Sequence, residues 1–313
     1  MTTLFDGSSS DAFFDGFTFE SEADPARADQ RANPYTDFVG NRSAAQAAGL
    51  LTPPAGAPLR RRTEASGSVY VGVDHTARWA HTRPIDPVKG RKSVRLFSNE
   101  AFGEGLFVLD FTHIPQGCGT WPSWRFMKKF DAGDTFDQAY GIREIDVIEM
   151  SNLIQTNQGT LHTSDDCTME TSCQDRFSGT WANPCECAGK FNGEAPCDKD
   201  KPVSFECGVY QTEANRGSFA EALNAADGGY YVMERTGEHI KMWFFPRGSA
   251  PPELINAAGV QGGEMSDLAP SHWGMPFAEF PLGTLCPSSV VSFTPPRSAC
   301  AFSLHAVATA CRI

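Results

Sequence analysis

Glu144-Ile145-Asp146-Val147-Ile148-Glu149-Met150 sets three carboxylates among apolar, mostly β-branched residues, and its reading decides the fold. β-Branched side chains favour a strand, because the pleated surface accommodates their branching at Cβ. On a regular strand Glu144, Asp146 and Ile148 share one face, and Ile145, Val147 and Glu149 the other. That arrangement buries a glutamate among apolar neighbours, at a desolvation cost of several kcal/mol. A single-residue β-bulge between Asp146 and Glu149 removes the conflict. All three carboxylates then share one face, while Ile145 and one of Val147 and Ile148 turn inward.

With the bulge, Glu144 and Glu149 stand about four strand steps apart, roughly 13 Å between Cα atoms. Their side chains lean toward each other, which brings the carboxyls near the ~5–5.5 Å at which two acids flank one acetal carbon. Like charges in a partly desolvated groove push pKa values apart, so one glutamate stays ionised while the other keeps a proton. Those are the two roles that glycosidic cleavage needs, nucleophile and acid. Taken alone, ExDxxE also describes an acidic strand facing solvent. A calcium loop is disfavoured, because EF-hand spacing and its glycine are missing. The surroundings favour a sugar site. Trp121 and Trp124 lie upstream in a Gly-Thr-Trp-Pro-Ser-Trp loop, and His162 follows the strand. Aromatic faces stack on the apolar faces of sugar rings.

Outward from this strand the same period of two recurs. Ser68–Val73, Ser93–Phe97, Gly105–Phe111, Tyr230–Glu234 and His239–Phe245 read as short strands. The last two flank Arg235-Thr236-Gly237-Glu238, a hairpin-length connection. Ser218–Ala226 reads as a short helix. Many short strands with few helices predict an all-β fold of packed antiparallel sheets, a sandwich or jelly roll. Residues 1–67 are polar and turn-rich, and the cluster Phe13-Phe14-Asp15-Gly16-Phe17 predicts that this segment drapes over the domain, because its aromatics need cover. Pro53–Arg62 reads as a linker or surface turn.

The chain has 313 residues, a net charge of −12 and 41% hydrophobic residues. That suits one large domain with a substantial core. The acidic balance disfavours nucleic acid, and no apolar run is long enough to span a bilayer as a helix. Of ten cysteines, Cys167, Cys173, Cys185, Cys187, Cys197 and Cys207 crowd one stretch. They lack the CxxC pairs or Cys/His alternation of a zinc site, whereas disulfides need no particular spacing. Disulfides imply an oxidising compartment, hence secretion, with a signal peptide not present in this sequence. Asn41-Arg42-Ser43 is a single glycosylation motif.

The carboxylate strand resembles the bulged catalytic signature of glycoside hydrolase family 16. Its neighbours resemble the fungal laminarinase-like endo-β-1,3(4)-glucanases of that family. They include Phe13-Phe14-Asp15-Gly16-Phe17, Val71-Gly72-Val73-Asp74-His75-Thr76, Cys118-Gly119-Thr120-Trp121-Pro122, Asn157-Gln158, Thr160-Leu161-His162-Thr163 and Trp243-Phe244-Phe245-Pro246-Arg247-Gly248. The resemblance runs over residues 11–286, leaving 1–10 as an N-terminal extension and 287–313 as a divergent tail without a clear alternating strand.

It implies a concanavalin-like β-jelly-roll sandwich of two antiparallel sheets with a concave cleft, and double displacement with retention. Carried onto this chain, Glu144 is the nucleophile, Glu149 the general acid/base and Asp146 the residue that tunes them. Trp121, Trp124, Asn152, Gln158 and His162 bind substrate. A monomer acting on β-glucan polysaccharide is implied, with no cofactor and no metal in the mechanism. The alternatives are a non-catalytic glucan-binding or wall protein on the same fold, and a wall transglycosylase. Residues 125–143 depart from the pattern, with Arg143 standing where a glycine is expected before the nucleophile, and Met150 replaces a second glycine.

Overall fold

The alternating segments pair into two sheets packed face to face. A computed structural model describes residues 10–20, 36–52, 69–76, 91–128, 143–163, 175–182, 206–212, 217–259, 268–282 and 298–306. The described strands are β1 (Phe17–Phe19), β2 (Thr36–Phe38), β3 (Arg91–Ala101), β4 (Gly105–Phe111), β5 (Thr120–Lys128), β6 (Arg143–Glu149), β7 (Gln158–Thr163), β8 (Thr180–Trp181), β9 (Glu206–Tyr210), β10 (Gly229–Arg235), β11 (His239–Pro246), β12 (Ala278–Pro281) and β13 (Ser298–Ala306). Short helices are α1 (Ser10–Asp15), α2 (Arg42–Ala47), α3 (Ala220–Ala225) and α4 (Pro252–Gly259). The larger sheet runs β1-β3-β13-β5-β6-β7-β9-β8, with β2 added in parallel on β3. The smaller runs β12-β11-β10-β4. The other pairings are antiparallel. This is the all-β jelly-roll sandwich expected from the alternation.

The core lies between the sheets. Trp124, Phe126, Ile145, Val147, Ile148, Leu161 and Val209 from the larger sheet meet Tyr231, Met233, Ile240, Met242 and Phe280 from the smaller. Each large apolar side chain removed from water contributes roughly 1.5–3 kcal/mol. The sheets approach closely at Gly159, where a Cβ would fall 2.7 Å from Met242 Sδ and the methionine would have to shift. The predicted hairpin forms in register, Arg235 opposite Ile240 and Gly229 opposite Pro246. The N-terminal aromatics find their cover: Phe14 and Phe17 pack with Leu50, Val94 and Leu96 in a second cluster.

Three expectations are corrected. The Gly-Thr-Trp-Pro-Ser-Trp segment is not a loop, because Trp121 onward lies in β5. Residues 69–73 of the expected strand at Ser68–Val73 form no strand; Val69 and Val71 still pack on the second cluster. The tail read as lacking a clear alternating strand contains β13, which lies between β3 and β5 in the larger sheet. Its apolar residues Cys300, Phe302 and Leu304 do alternate, but the small residues between them dilute the signal. The Pro53–Arg62 linker, most of residues 129–143 and the crowded cysteines other than Cys207 lie outside the described residues. Cys207 is buried in the core. Among the described residues no helix is long and apolar enough to cross a membrane.

Candidate active site

β6 lies between β5 and β7, and its pairing breaks register on both sides. Toward β7, Asp146 opposes Thr160 and Glu149 opposes Gln158, three steps on one strand against two on the other. Toward β5, Asp146 opposes Arg125 while Ile148 already opposes Trp124. This is the bulge expected from the sequence. Ile145, Val147 and Ile148 are at most 2% exposed and all belong to the core. The bulge therefore turns both Val147 and Ile148 inward, where one was expected.

The other face of β6 carries Glu144, Asp146 and Glu149. By register, Ser123, Arg125 and Met127 accompany them from β5, and Gln158, Thr160 and His162 from β7. Glu144 is 5% exposed, Asp146 0% and Arg125 7%. These charged side chains lie buried on the face turned from the core, which is the candidate recess.

The recess is organised by charge. The Arg125 guanidinium forms a buried ion pair with Glu144. His162 Nε2 lies 3.2 Å from Asp146 Oδ2. Burial, and then the charge of Glu144, raise the Asp146 pKa to about 6, against the opposing pull of His162 and Arg125. Glu149 is pushed well above the ordinary glutamate value, first by burial and then by the charges of Asp146 and Glu144. The two ends of the trio thus differ: Glu144 faces a cation, and Glu149 is disposed to keep a proton. Ligating atoms of Asp146, Glu149 and His162 lie within 4.8 Å of one another. They have the spacing to hold a cation, in the same cluster that carries the acid chemistry.

Not every expected residue faces the recess. Trp121 lies in register on the trio's side of β5, partly buried. Trp124 points the other way, is 3% exposed, and packs edge-on against Phe126 at 5.5 Å. This corrects its assignment as a sugar platform: strand alternation within β5 sends it into the core. Gln158 lies flat on the floor, its Nε2 donating to Thr160 Oγ1 at 2.9 Å. A Cβ at Gly208 would fall 2.5 Å from that amide nitrogen. Asn152 adopts a left-handed backbone with φ 61°. Its Oδ1 accepts from Gly119 N–H at 2.9 Å and its N–H donates to the Thr120 carbonyl at 2.9 Å. It secures the turn that leads into Trp121.

Sequence reading gave no role to four residues. Arg125 signals itself only as a cation on a strand opposite three acids. Ser123 is buried on the trio's face, opposite Glu149. Tyr210 pairs with Gln158, two strands from Glu149, and is 42% exposed. Asn157 is fully buried beside the bulge.

A model of the XgeA-like catalytic GH16 domain matches residues 17–295. The chain belongs to glycoside hydrolase family 16. Relatives of this family include the endo-1,3(4)-β-glucanase xgeA of Emericella nidulans, 32% identical over 240 residues, which cover 76% of this chain and 31% of that protein. A probable endo-1,3(4)-β-glucanase of Aspergillus niger is 33% identical over 244 residues, covering 77% of this chain and 26% of that protein. The chain thus spans about a quarter to a third of the length of these curated relatives. Among solved family 16 structures, laminarinase 16A of Phanerochaete chrysosporium, with β-glucans in donor and acceptor sites, superposes with a TM-score of 0.64 and 29% identity, covering 94% of this chain and 80% of that one. An elongating β-1,3-glucosyltransferase of the family superposes with a TM-score of 0.65 at 29% identity, covering 94% of this chain and 79% of that one.

Proposed function

We propose that this chain is a retaining endo-β-glucanase domain that cuts β-1,3 or mixed β-1,3/1,4 glucan by double displacement. One observation carries the reading: a single bulged strand presents an ion-paired Glu144 and a proton-holding Glu149 on the same recessed face. In the first step a Glu144 oxygen attacks the anomeric carbon while Glu149 gives its proton to the departing glycosidic oxygen. In the second, the Glu149 carboxylate takes a proton from water, whose oxygen attacks the same carbon and releases Glu144. Asp146 sets the proton affinity of Glu149 through its charge. Trp121 and the exposed ring of Tyr210 supply apolar faces for sugars along the sheet. The names of the fungal relatives support the substrate class. The ten cysteines, read as disulfide formers, support secretion. A secreted monomer follows from the same reading.

Incubation with laminarin or lichenan tests it. New reducing ends are expected, and proton NMR should detect the β anomer before mutarotation. No new ends, or the α anomer first, would remove the proposal. A second reading, glucan elongation by transfer, draws on the likeness to the elongating glucosyltransferase. Products longer than the starting oligosaccharide would favour it.

The pH profile follows from the charges. Glu149 works as an acid below its raised pKa, so activity falls on the alkaline side as that proton is lost. Above about 6 Asp146 is ionised and holds the Glu149 proton more tightly. Asp146→Asn removes that charge, and the alkaline limb is expected to move down by about half to one pH unit. An upward or absent shift in kcat against pH counts against this role. Both groups bind protons more tightly folded than unfolded. Their contribution to stability is therefore present at low pH and lost as pH rises through their folded pKa values.

A further inference from the structure

A β-bulge orphans backbone groups, because its extra residue has no partner in the ladder. Here the orphans are the Val147 carbonyl and the Glu149 N–H, and one side chain meets both. Asn157 Nδ2 donates to the Val147 carbonyl at 2.7 Å, and its Oδ1 accepts from Glu149 N–H at 3.0 Å. A primary amide suits this task, since it carries a donor and an acceptor side by side. Asn157 is completely buried. Its own backbone is anchored: its N–H donates to Ser218 Oγ at 3.2 Å, and its carbonyl accepts from Gln211 N–H at 2.9 Å. The Ser218 carbonyl accepts from the Tyr231 hydroxyl at 2.6 Å, which also lies 2.9 Å from Gln211 Oε1. Tyr231 belongs to β10, so the chain of bonds reaches from the bulge to the opposite sheet.

We propose that Asn157 is a positioning residue that locks the bulge in register and thereby aims Glu149 at the face carrying Glu144. The reason is geometric. A one-residue slip on β6 would exchange the faces of Ile148 and Glu149, because side chains alternate. The amide brackets the unit that would have to slip. Asn157→Asp keeps an acceptor for Glu149 N–H but sets a carboxylate oxygen against the Val147 carbonyl. Asn157→Ala removes both bonds.

The inference rests on the proposed glucanase reading for its consequence, but the clamp itself is testable without turnover. Amide hydrogen exchange in the full chain should show Glu149 N–H protected in the wild type. In Asn157→Ala, or in Asn157→Leu if the alanine variant fails to fold, protection should fall at Glu149 more than at Ile145 or Leu161. Equal loss across the sheet, or no loss, would overturn the clamp. The second readout is kinetic. On laminarin, kcat should fall about 100-fold with KM nearly unchanged, the size expected when acid/base help is lost. On a 2,4-dinitrophenyl β-laminaribioside the leaving phenolate needs no proton. Attack by Glu144 then proceeds, and added azide, needing no base, displaces Glu144 to give a β-glycosyl azide. Rescue of turnover with that product is expected. A drop of equal size on both substrates without azide rescue would mark Asn157 as merely structural. A wild type inactive on every glucan would defeat the glucanase reading while the exchange result still judges the clamp.

Discussion

Glu144→Gln abolishes glucan cleavage, lowering kcat roughly 10⁴-fold or more, and leaves the fold in place. The expected size follows from the loss of a covalent nucleophile, for which the remaining groups cannot compensate. Glutamine has the same shape and reach, and its carbonyl oxygen still accepts a hydrogen bond from Arg125. What disappears is the negative oxygen that attacks the anomeric carbon. The loss should hold at every pH, because an amide does not titrate here. That separates it from the Asp146→Asn change, which moves the limb of the profile. The measurement is reducing-end release from laminarin across the pH range, with circular dichroism to show the folded state. Activity within tenfold of the wild type would mean that the nucleophile is another group, and the double-displacement assignment would be lost.

Arg125→Met is expected to destabilise the protein by about 3–5 kcal/mol, the cost of stripping one partner from a buried ion pair. Burial decides the magnitude. The side chains of Arg125 and Glu144 are 9% and 7% exposed, whereas an exposed pair would be worth only about 0–1 kcal/mol. Without the guanidinium, three acids share the recess beside His162. Arg125 lowers the proton affinity of both Asp146 and Glu149, so its removal should raise both pKa values further. Adding Glu144→Gln to Arg125→Met removes the uncompensated charge, and much of the lost stability should return. Urea unfolding of the two single variants and the double variant measures the coupling. A loss below about 1 kcal/mol for Arg125→Met, or additive effects in the double variant, would show that the pair does not hold the recess together.

What the sequence determined by itself was the shape of one strand. Three acids among β-branched residues leave few ways to keep every acid out of the core. The bulge in β6 follows from that cost alone, before any partner strand is known. The hairpin of β10 and β11 was legible for a similar reason, since its turn and both its strands lie within one short stretch. Tertiary structure decided everything that depends on which strands become neighbours. Trp124 read as a platform until β5 proved to be a strand that turns it inward. Arg125 meets Glu144, and Asn157 meets the bulge, only because β5, β6 and β7 lie side by side. β13 enters the larger sheet between β3 and β5, far away along the chain. Alternation tells a residue which face it takes; the neighbours across that face are chosen by the pairing of distant segments, which no local pattern encodes.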